Sequence, residues 1–219
     1  EYLETDGDKI EAIVHMGACS ATTEKDVDFL MKNNYEYSKK LWNFCSKNQI
    51  KYVYASSAAT YGGGELGYDD QKSIKNLKPL NPYGYSKQLF DLWAKKQDMK
   101  PSQWFGLKFF NVYGPNEYHK GRMASVIHHT YYQAKDTGEM KLFKSHKKEY
   151  KDGEQLRDFV YVKDVINVIN FLLNNEDLKS TILNVGTGES RSFNDLAKIT
   201  MESMGIEPNM KYIDMPMDI

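Results

Sequence analysis

The sequence predicts an α/β fold built on a doubly wound parallel sheet, with a smaller C-terminal lobe. Two observations predict the sheet: short apolar segments alternate with helical periodicity over the first half of the chain, and each apolar segment ends in small or polar residues. Strands that alternate with helices form parallel sheets, and ligands of such sheets bind beyond the carboxyl ends of the strands. We therefore expect one binding site at those strand ends.

Three predicted strands lead into segments that could face a ligand. Small side chains allow the backbone to approach a ligand closely, and small hydroxyl residues can contact it, although a simple strand-to-loop turn would also explain the first exit. The predicted strands cover residues 10–17, 50–55 and 104–110, and they exit through Gly17-Ala18-Cys19-Ser20, Ser56-Ser57 and Asn111 respectively.

Two segments of helical periodicity connect these strands. The first covers residues 28–47 and contains Asn33-Asn34, where asparagine is an unfavourable helix residue. A hydrogen-bonding role and a tolerated polar position are both open for that pair. The second begins at Pro82, which suits the first turn of a helix, and runs to about Lys96.

Tyr83 and Lys87 lie four residues apart at this Pro-led helix start, so a helix places both on one face. A phenol with a pKa of about 10 is a poor base at neutral pH, and a neighbouring ammonium lowers that pKa. The pair is therefore a candidate proton acceptor for an alcohol that loses hydride. The spacing alone is weak evidence, and a solvated face is the alternative, but the position after a strand ending in Ser57 favours the functional interpretation. The same spacing occurs at Tyr35/Lys39, Tyr68/Lys72 and Tyr131/Lys135.

Beyond Gly114 the alternation weakens, and we interpret most of this half as a lobe that closes over the binding crevice. Ser192 is positioned to cap the last predicted helix. The predicted elements are helices over residues 123–134, 164–173 and 193–204, a strand over 156–162 and a loop over 144–154. The predicted domains are a sheet domain of residues 1–114 plus about 155–175, and a lobe of about 115–154 plus 176–219.

The bulk composition is that of an ordinary soluble globular protein. Of 219 residues, 41% are apolar and 27% are charged, and the net charge of −1 gives no general attraction to nucleic acid or membrane. No apolar run is long enough to span a membrane, and the N-terminus does not read as a signal peptide. Cys19 and Cys45 are too few for a disulfide framework, which favours a cytoplasmic location, and no Cys/His spacing predicts a metal site.

Seven motifs together make the sequence resemble the extended short-chain dehydrogenase/reductase family, which includes NAD-dependent epimerases and dehydratases. Ser57, Tyr83 and Lys87 match the superfamily pattern, whereas the stretch His119-Lys120-Gly121 matches epimerases of ADP-sugars and is the more specific signal. The matching segments are residues 17–24, 56–62, 80–87, 110–115, 119–126, 157–162 and 184–188.

The resemblance implies a Rossmann-like fold and an NADP cofactor, with NAD as the other possibility. It implies that a sugar alcohol is oxidised and then reduced again with inversion, with Tyr83 and Lys120 as acid/base residues for two substrate orientations. Ser57 would hydrogen-bond the reacting oxygen, and Lys87 would hold the nicotinamide ribose and lower the pKa of Tyr83.

The family's remaining functional positions can be carried over residue by residue. Arg157 is chemically suited to its implied role, because a guanidinium forms paired hydrogen bonds with a diphosphate. The implied cofactor-binding residues are Met16, Gly17, Ala18, Cys19, Ser20, Asn33, Tyr83, Lys87, Val112 and Lys120. The implied substrate-binding residues are Ser57, Asn111, Arg122, His129, Phe143, Lys144, Ser145, His146 and Arg157.

Other interpretations of these residues and of the whole chain remain open. Lys120 reads equally as a surface lysine, Arg157 could form a local ion pair with Asp158, and Cys19 reads as a small packed residue. The family's glycine-rich phosphate loop and its NADP-selecting loop are not among these residues, so we expect that the sequence belongs to a longer protein. A different sugar-nucleotide epimerase or dehydratase and a non-catalytic nucleotide-binding module are the competing functions. The resemblance also implies a homo-oligomer.

Overall fold

The computed structural model describes residues 9–145 and 149–214. The chain divides into two compact units. The first comprises Glu1–Phe109 and Ile166–Val185, and the second comprises Phe110–Val165 and Gly186–Ile219. These bounds differ from the expected domains at residues 110–114, 155–165 and 176–185. The last difference arises because the strand over Thr181–Val185 pairs with the strand over Trp104–Phe109.

A parallel sheet of four strands forms the centre of the first unit. Its order is β1-β2-β3-β7, and every neighbouring pair is parallel, which confirms the predicted fold class. Ser57 lies opposite Phe109, and Phe109 lies opposite Val185, so three of the strands end at a common edge. The strands are β1 (Ala12–His15), β2 (Lys51–Ser57), β3 (Trp104–Phe109) and β7 (Thr181–Val185).

The first strand differs from its prediction. It is shorter than residues 10–17 and is not fully buried, since Val14 is 40% exposed. Within the described part of the chain β1 pairs with β2 alone, so its other edge has no strand beside it. An apolar run therefore predicted the strand correctly but not its burial.

The helices of the first unit follow the predicted segments. The first segment contains a π-helical stretch, Met31–Glu36, between α1 (Val27–Leu30) and α2 (Tyr37–Asn48). Asn81 caps the next helix, α3 (Pro82–Lys96), by accepting the Gly84 N–H at 2.8 Å. Later in the chain, α5 (Val162–Leu173) covers the predicted segment 164–173 and lies partly in each unit.

Aromatic residues form the core of the first unit. Trp42 is fully buried, and its ring lies 5.2 Å from that of Trp104 and 6.3 Å from that of Phe90. Residues from α2, α3 and three strands meet in this cluster, which fixes the helices against the sheet.

In its described residues, the second unit contains two small sheets, two complete α-helices and the first residues of α5. In one sheet β6 (Leu156–Tyr161) pairs parallel with β4 (Asn111–Tyr113) and antiparallel with β8 (Ser190–Ser192). In the other, β5 (Met140–Phe143) pairs parallel with β9 (Met210–Ile213). Strand β6 was predicted, but β4, β5, β8 and β9 were not, because runs of three or four residues carry little periodicity.

The two helices of the second unit begin at serine caps. Ser125 caps α4 (Val126–Thr137), which therefore starts three residues later than predicted. Ser192 caps α6 (Phe193–Ser203) in a reciprocal arrangement with Asp195, as predicted. None of the described helices is long and apolar enough to cross a membrane, and the described residues contain no group of metal-ligating side chains.

Candidate active site

Ser57 is the last residue of β2 and the first of a turn. Its hydroxyl accepts the Ala59 N–H at 3.1 Å and so caps a short 3₁₀ helix, Ala58–Tyr61. Its carbonyl accepts the Thr60 hydroxyl at 2.8 Å. The residue is thus fixed by both its side chain and its backbone at the edge where the parallel strands end.

Tyr83 lies in the first turn of α3 and is 8% exposed. Its phenol hydrogen-bonds with the side chain of Ser57, and this contact lowers the pKa of the phenol. Burial has the larger, opposite effect, so the pKa of Tyr83 lies above its usual value and the phenol is protonated at neutral pH.

Lys87 lies one helical turn beyond Tyr83 and is 5% exposed. Its ammonium donates to the Ala55 carbonyl at 2.9 Å, one residue before Ser56 on β2. Burial lowers the pKa of Lys87 to about 8, and the charge of Asp91 acts in the opposite direction. Lys87 is therefore a buried cation at physiological pH, although its pKa lies only slightly above that pH.

One electrostatic expectation is wrong for the structure as it stands. We expected Lys87 to lower the pKa of Tyr83, but burial dominates and the pKa is raised. The reason is burial of the phenol, while the Lys87 ammonium donates to the strand carbonyl of Ala55. A protonated phenol can donate a proton.

Asn34 connects the exit of β1 to this cluster. Its side-chain carbonyl accepts the Cys19 N–H at 2.8 Å, and its amide donates to the Cys19 carbonyl at 3.1 Å and to the Ser86 hydroxyl at 3.0 Å. Ser86 in turn donates to the Tyr83 carbonyl at 2.7 Å. Asn34 is 1% exposed and lies in the π-helical stretch, a rare geometry that is frequent at functional sites.

A cleft of about 860 Å³ runs along β1 and its exit in the first unit. A Cβ added at Gly17 would meet nothing within 4 Å, so a ligand can reach the backbone there. The cleft includes most of the first-unit residues that the resemblance assigns to the cofactor: Met16, Gly17, Ala18, Cys19 and Asn33.

His15, also on the wall of this cleft, is a buried side chain that the sequence did not single out. Its Nε2 lies 3.1 Å from the Ser38 hydroxyl, which donates to the Asn34 carbonyl at 2.8 Å. Burial, with a contribution from the charge of Lys87, lowers the pKa of His15 to about 4. The imidazole is therefore neutral at physiological pH and serves as a hydrogen-bonding part of the wall.

Lys120 lies in the second unit, in a 3₁₀ segment over Tyr118–Met123, and its side chain is 38% exposed. Glu117 organises this segment: its carboxylate accepts the Gly114 N–H at 2.9 Å, the Ser125 N–H at 2.7 Å and the Ser125 hydroxyl at 2.8 Å. The Lys120 ammonium lies 4.0 Å from the same carboxylate. These contacts outweigh burial and lower the pKa of Glu117.

Asn111, Val112 and Arg157 lie on the paired strands β4 and β6 of the second unit. Asn111 donates to the Asp158 carbonyl at 3.0 Å, so this strand pair brings the candidates together. Within the described residues Arg157 forms no ion pair with Asp158, because Asp158 instead accepts the N–H groups of the turn Thr187-Gly188. Arg157 donates to the Leu156 carbonyl and lies 5.9 Å from the Phe193 ring.

The remaining candidates of the second unit lie at other places. Arg122 follows Lys120 in the 3₁₀ segment, and His129 lies in the first turn of α4, beside His128. Phe143 ends β5, the Lys144 ammonium pairs with Asp214 at 3.0 Å, and the Ser145 N–H donates to Asp152. His146 lies outside the described residues, and the exposed Ser20 is not on the wall of the β1 cleft.

The sequence interpretation missed four residues that hold the candidates in place. The mid-helix asparagine pair left a hydrogen-bonding role open, and the structure gives that role to Asn34, whereas Asn33, which the resemblance assigns to the cofactor, lies on the wall of the β1 cleft. Asp91 could have been found from its position one turn after Lys87. No sequence pattern indicated Lys108 or Glu117. The partners of Lys108 are distant in the chain, and Glu117 binds backbone N–H groups of a loop.

Comparisons with known proteins show which sequences and structures this chain resembles. A family model described as the NAD dependent epimerase/dehydratase family matches residues 3–186. An ADP-L-glycero-D-manno-heptose-6-epimerase from Fusobacterium nucleatum is 61% identical over 221 residues, which covers 97% of this chain and 66% of that protein. This chain spans 63–66% of the length of the curated relatives that it matches.

Two solved structures show how far the fold is shared. The crystal structure of the Helicobacter pylori ADP-L-glycero-D-manno-heptose-6-epimerase has a TM-score of 0.78 and 32% identity, covering 94% of this chain and 64% of that one. A UDP-N-acetylglucosamine 4-epimerase from Methanobrevibacter ruminantium, solved with UDP-N-acetylmuramic acid, has a TM-score of 0.82 and 25% identity, covering 100% and 70%. Since the more distant sequence has the higher TM-score, the fold does not distinguish the two sugar nucleotides.

Proposed function

Because this chain belongs to the NAD-dependent epimerase/dehydratase family, we propose that its protein inverts C6 of the heptose in ADP-glycero-manno-heptose. The observation that carries the proposal is the buried contact of Tyr83 with Ser57, next to Lys87, in a chain 61% identical to an epimerase of that name. Its product would be a heptose precursor for the inner core of lipopolysaccharide.

The residues present fit a nicotinamide nucleotide. The β1 cleft offers open backbone at Gly17, small side chains at Ala18 and Cys19, and the amide of Asn33 on its wall. Lys87 offers a buried ammonium that can donate to ribose hydroxyls in addition to the Ala55 carbonyl. We propose NADP as the cofactor, with NAD as the alternative; when bound, it supplies the hydride acceptor and donor for oxidation and re-reduction at C6.

Tyr83 and Lys120 share the proton transfers in this proposal. The phenol of Tyr83 is protonated in the structure, which suits donation to the ketone oxygen, and Ser57 orients that oxygen by a second hydrogen bond. Lys120 would serve the opposite substrate orientation, where its amine would accept the proton of the C6 alcohol during oxidation and so balance the proton that Tyr83 donates to the ketone oxygen. The ammonium of Lys87 keeps a positive charge near the Tyr83 phenol while the phenol loses or regains its proton.

The second unit supplies the groups that recognise the ADP-sugar. Arg157 can redirect its guanidinium from the Leu156 carbonyl to a diphosphate, and the side chain of Asn111 can hydrogen-bond the sugar. The other proposed substrate-binding residues are Arg122, His129, Phe143, Lys144, Ser145 and His146. We further propose a homo-oligomeric, cytoplasmic enzyme that has no nucleic-acid or membrane partner.

The test is a substrate screen on the full-length protein and on its Tyr83→Phe/Lys120→Met variant. We expect inversion of ADP-heptose by the wild type and none by the double variant. Near-normal inversion by the double variant would contradict the assigned roles. A preference for UDP-sugars would support the competing epimerase or dehydratase, whose fold this chain shares equally well.

The cofactor is tested separately by spectroscopy and thermal unfolding. We expect nicotinamide nucleotide to be released when the purified full-length protein is denatured, and the melting temperature to rise more with added NADP than with NAD. The absence of bound nucleotide together with an unchanged melting temperature would support the non-catalytic module instead.

A further inference from the structure

The first unit buries an ion pair that the proposed chemistry does not use. Asp91 on α3 and Lys108 on β3 are both fully buried, and the Lys108 ammonium lies 2.7 Å from the Asp91 carboxylate. Removing two charges from water is costly, and buried ion pairs often contribute little net stability. The position of this pair therefore calls for an explanation other than stability.

The carboxylate of Asp91 holds the end of β2. One oxygen accepts the Ser56 hydroxyl at 2.7 Å as well as the Lys108 ammonium, and the other accepts the Tyr54 hydroxyl at 3.0 Å. Ser56 is the residue directly before Ser57. A charged acceptor with three donors fixes this strand end more strongly than neutral hydrogen bonds would.

Lys108 holds the turn that follows β2. Its ammonium donates to the Thr60 hydroxyl at 2.6 Å, and that hydroxyl donates to the Ser57 carbonyl at 2.8 Å. The ammonium also lies 5.3 Å from the ring centre of Tyr61. A continuous chain of hydrogen bonds thus runs from Asp91 through Lys108 and Thr60 to the backbone of Ser57.

The same face of α3 meets successive residues of β2. Tyr83, Lys87 and Asp91 follow at intervals of one helical turn, so their side chains share one face. Tyr83 contacts Ser57, Asp91 contacts Ser56, and Lys87 contacts Ala55. These three contacts fix both the rotation of the helix and its position along the strand.

We propose that Asp91 and Lys108 are positioning residues, which set the register of α3 against β2 and thereby hold Tyr83 and Lys87 in their working geometry beside Ser57. The inference rests on the proposed function, because it assigns these residues to the same reaction. Misplacement of a reacting group by an ångström can cost a large factor in rate, so the pair acts on catalysis without touching substrate.

The experiment compares Thr60→Val with Thr60→Ser in the full-length protein. Valine preserves the shape of threonine but removes the hydroxyl that relays Lys108 to Ser57, whereas serine keeps it. We expect Thr60→Val to lower kcat at least tenfold with KM for ADP-heptose within about twofold, and Thr60→Ser to retain most of the wild-type kcat. Equal kcat values for the two variants would overturn the proposal.

A charge-removal set supplies a second test. In Lys108→Met the carboxylate is left buried without its cation, so we expect poor folding, and Asp91→Asn/Lys108→Met removes both charges and restores the melting temperature. A merely structural pair predicts that kcat recovers in the double variant as well. Our proposal predicts that kcat stays at least tenfold low, and full recovery of kcat would overturn it.

A readout independent of turnover distinguishes failure of this inference from failure of the proposed function. The ¹³Cζ resonance of Tyr83, assigned with the Tyr83→Phe variant, reports the hydrogen bond to Ser57 in any variant that folds. We expect it to move in Thr60→Val and not in Thr60→Ser. An unmoved resonance overturns the positioning role, whereas wild-type inactivity on ADP-heptose with a moved resonance overturns only the substrate assignment.

Discussion

Tyr83 and Lys120, the two acid/base candidates, are held in opposite ways in their respective units. Tyr83 is buried, and the side chains around it come from strands and helices separated by many residues. Lys120 is partly exposed, and its segment is organised by one nearby carboxylate, Glu117. Packing therefore controls the protonation of the phenol, whereas solvent and a single local acceptor surround the amine.

This contrast predicts which property a substitution changes in each of the two regions. Changes in the buried cluster act on reaction rate and on the pH dependence of stability, because every group there exchanged water for a fixed partner. Changes in the Lys120 segment act on local backbone order, because the Glu117 carboxylate satisfies two N–H groups that otherwise lack partners. The four predictions that follow test this contrast.

The largest expected effect is that of Tyr83→Phe on epimerisation. Loss of the phenol proton removes general acid/base catalysis, which typically contributes a factor of about 10² to 10⁴ in rate. Tyr85→Phe, two residues along the same helix and 50% exposed, is the matched control and should retain full activity. Steady-state kinetics on the full-length protein measures the epimerisation rates of both variants. A rate for Tyr83→Phe equal to that of Tyr85→Phe would contradict a catalytic role for the Tyr83 phenol.

The second prediction concerns His15 and the pH dependence of stability. The folded chain holds the pKa of His15 at about 4, whereas the unfolded chain has a value of about 6.5, so the unfolded state binds the extra proton between those pH values. The free energy of unfolding should therefore rise with pH across this window, by about 3 kcal/mol at most. Denaturant titrations of wild type and His15→Gln measure the slope.

His15→Gln should flatten that dependence, since its amide cannot titrate. His119→Gln, which changes an exposed histidine of the second unit, is the control variant. A slope as steep in His15→Gln as in the wild type would mean that groups other than His15 set it.

The third prediction concerns Glu117, whose substitution should have a smaller effect than the changes in the buried cluster and a larger one than Lys120→Met on stability. In Glu117→Gln one carboxylate oxygen becomes a donor facing an N–H group of Gly114 or Ser125, which costs about 1–3 kcal/mol. Because the pKa of Glu117 is lowered in the folded state, its contribution is complete above about pH 4.5 and is lost as the pH falls through the folded value. Hydrogen exchange of the Gly114 and Ser125 amides should accelerate at neutral pH.

The exposed Glu207 provides the comparison for Glu117. Glu207→Gln should leave the same two amides protected. If Glu117→Gln left them protected as well, the carboxylate would not be what organises the Lys120 segment.

The smallest expected effect is that of Lys120→Met on stability. The side chain is 38% exposed and its ammonium is 4.0 Å from Glu117, so the ion pair contributes less than about 0.5 kcal/mol. We expect epimerisation to be lost while the melting temperature changes by a degree or two at most. A large fall in melting temperature would place Lys120 among the structural residues and weaken its catalytic role.

The sequence by itself determined the parallel α/β fold, the Pro-led helix of Tyr83 and Lys87, and the strand end at Ser57. These follow from local rules: a period of two or of 3.6 residues, a proline at a helix start and a spacing of four. The seven motifs in addition indicated the family to which the chain belongs. Short strands such as β5 and β9 escaped it because three or four residues show no period.

Only the tertiary structure decided which neighbours control these groups. Asn34 connects the β1 exit to α3, Lys87 donates to a strand carbonyl, and burial raises the pKa of the Tyr83 phenol. The Asp91–Lys108 pair joins residues on different elements that no spacing relates. The physical reason is that burial and charge act through space, and the distance between two side chains is set by packing, which a linear pattern does not contain.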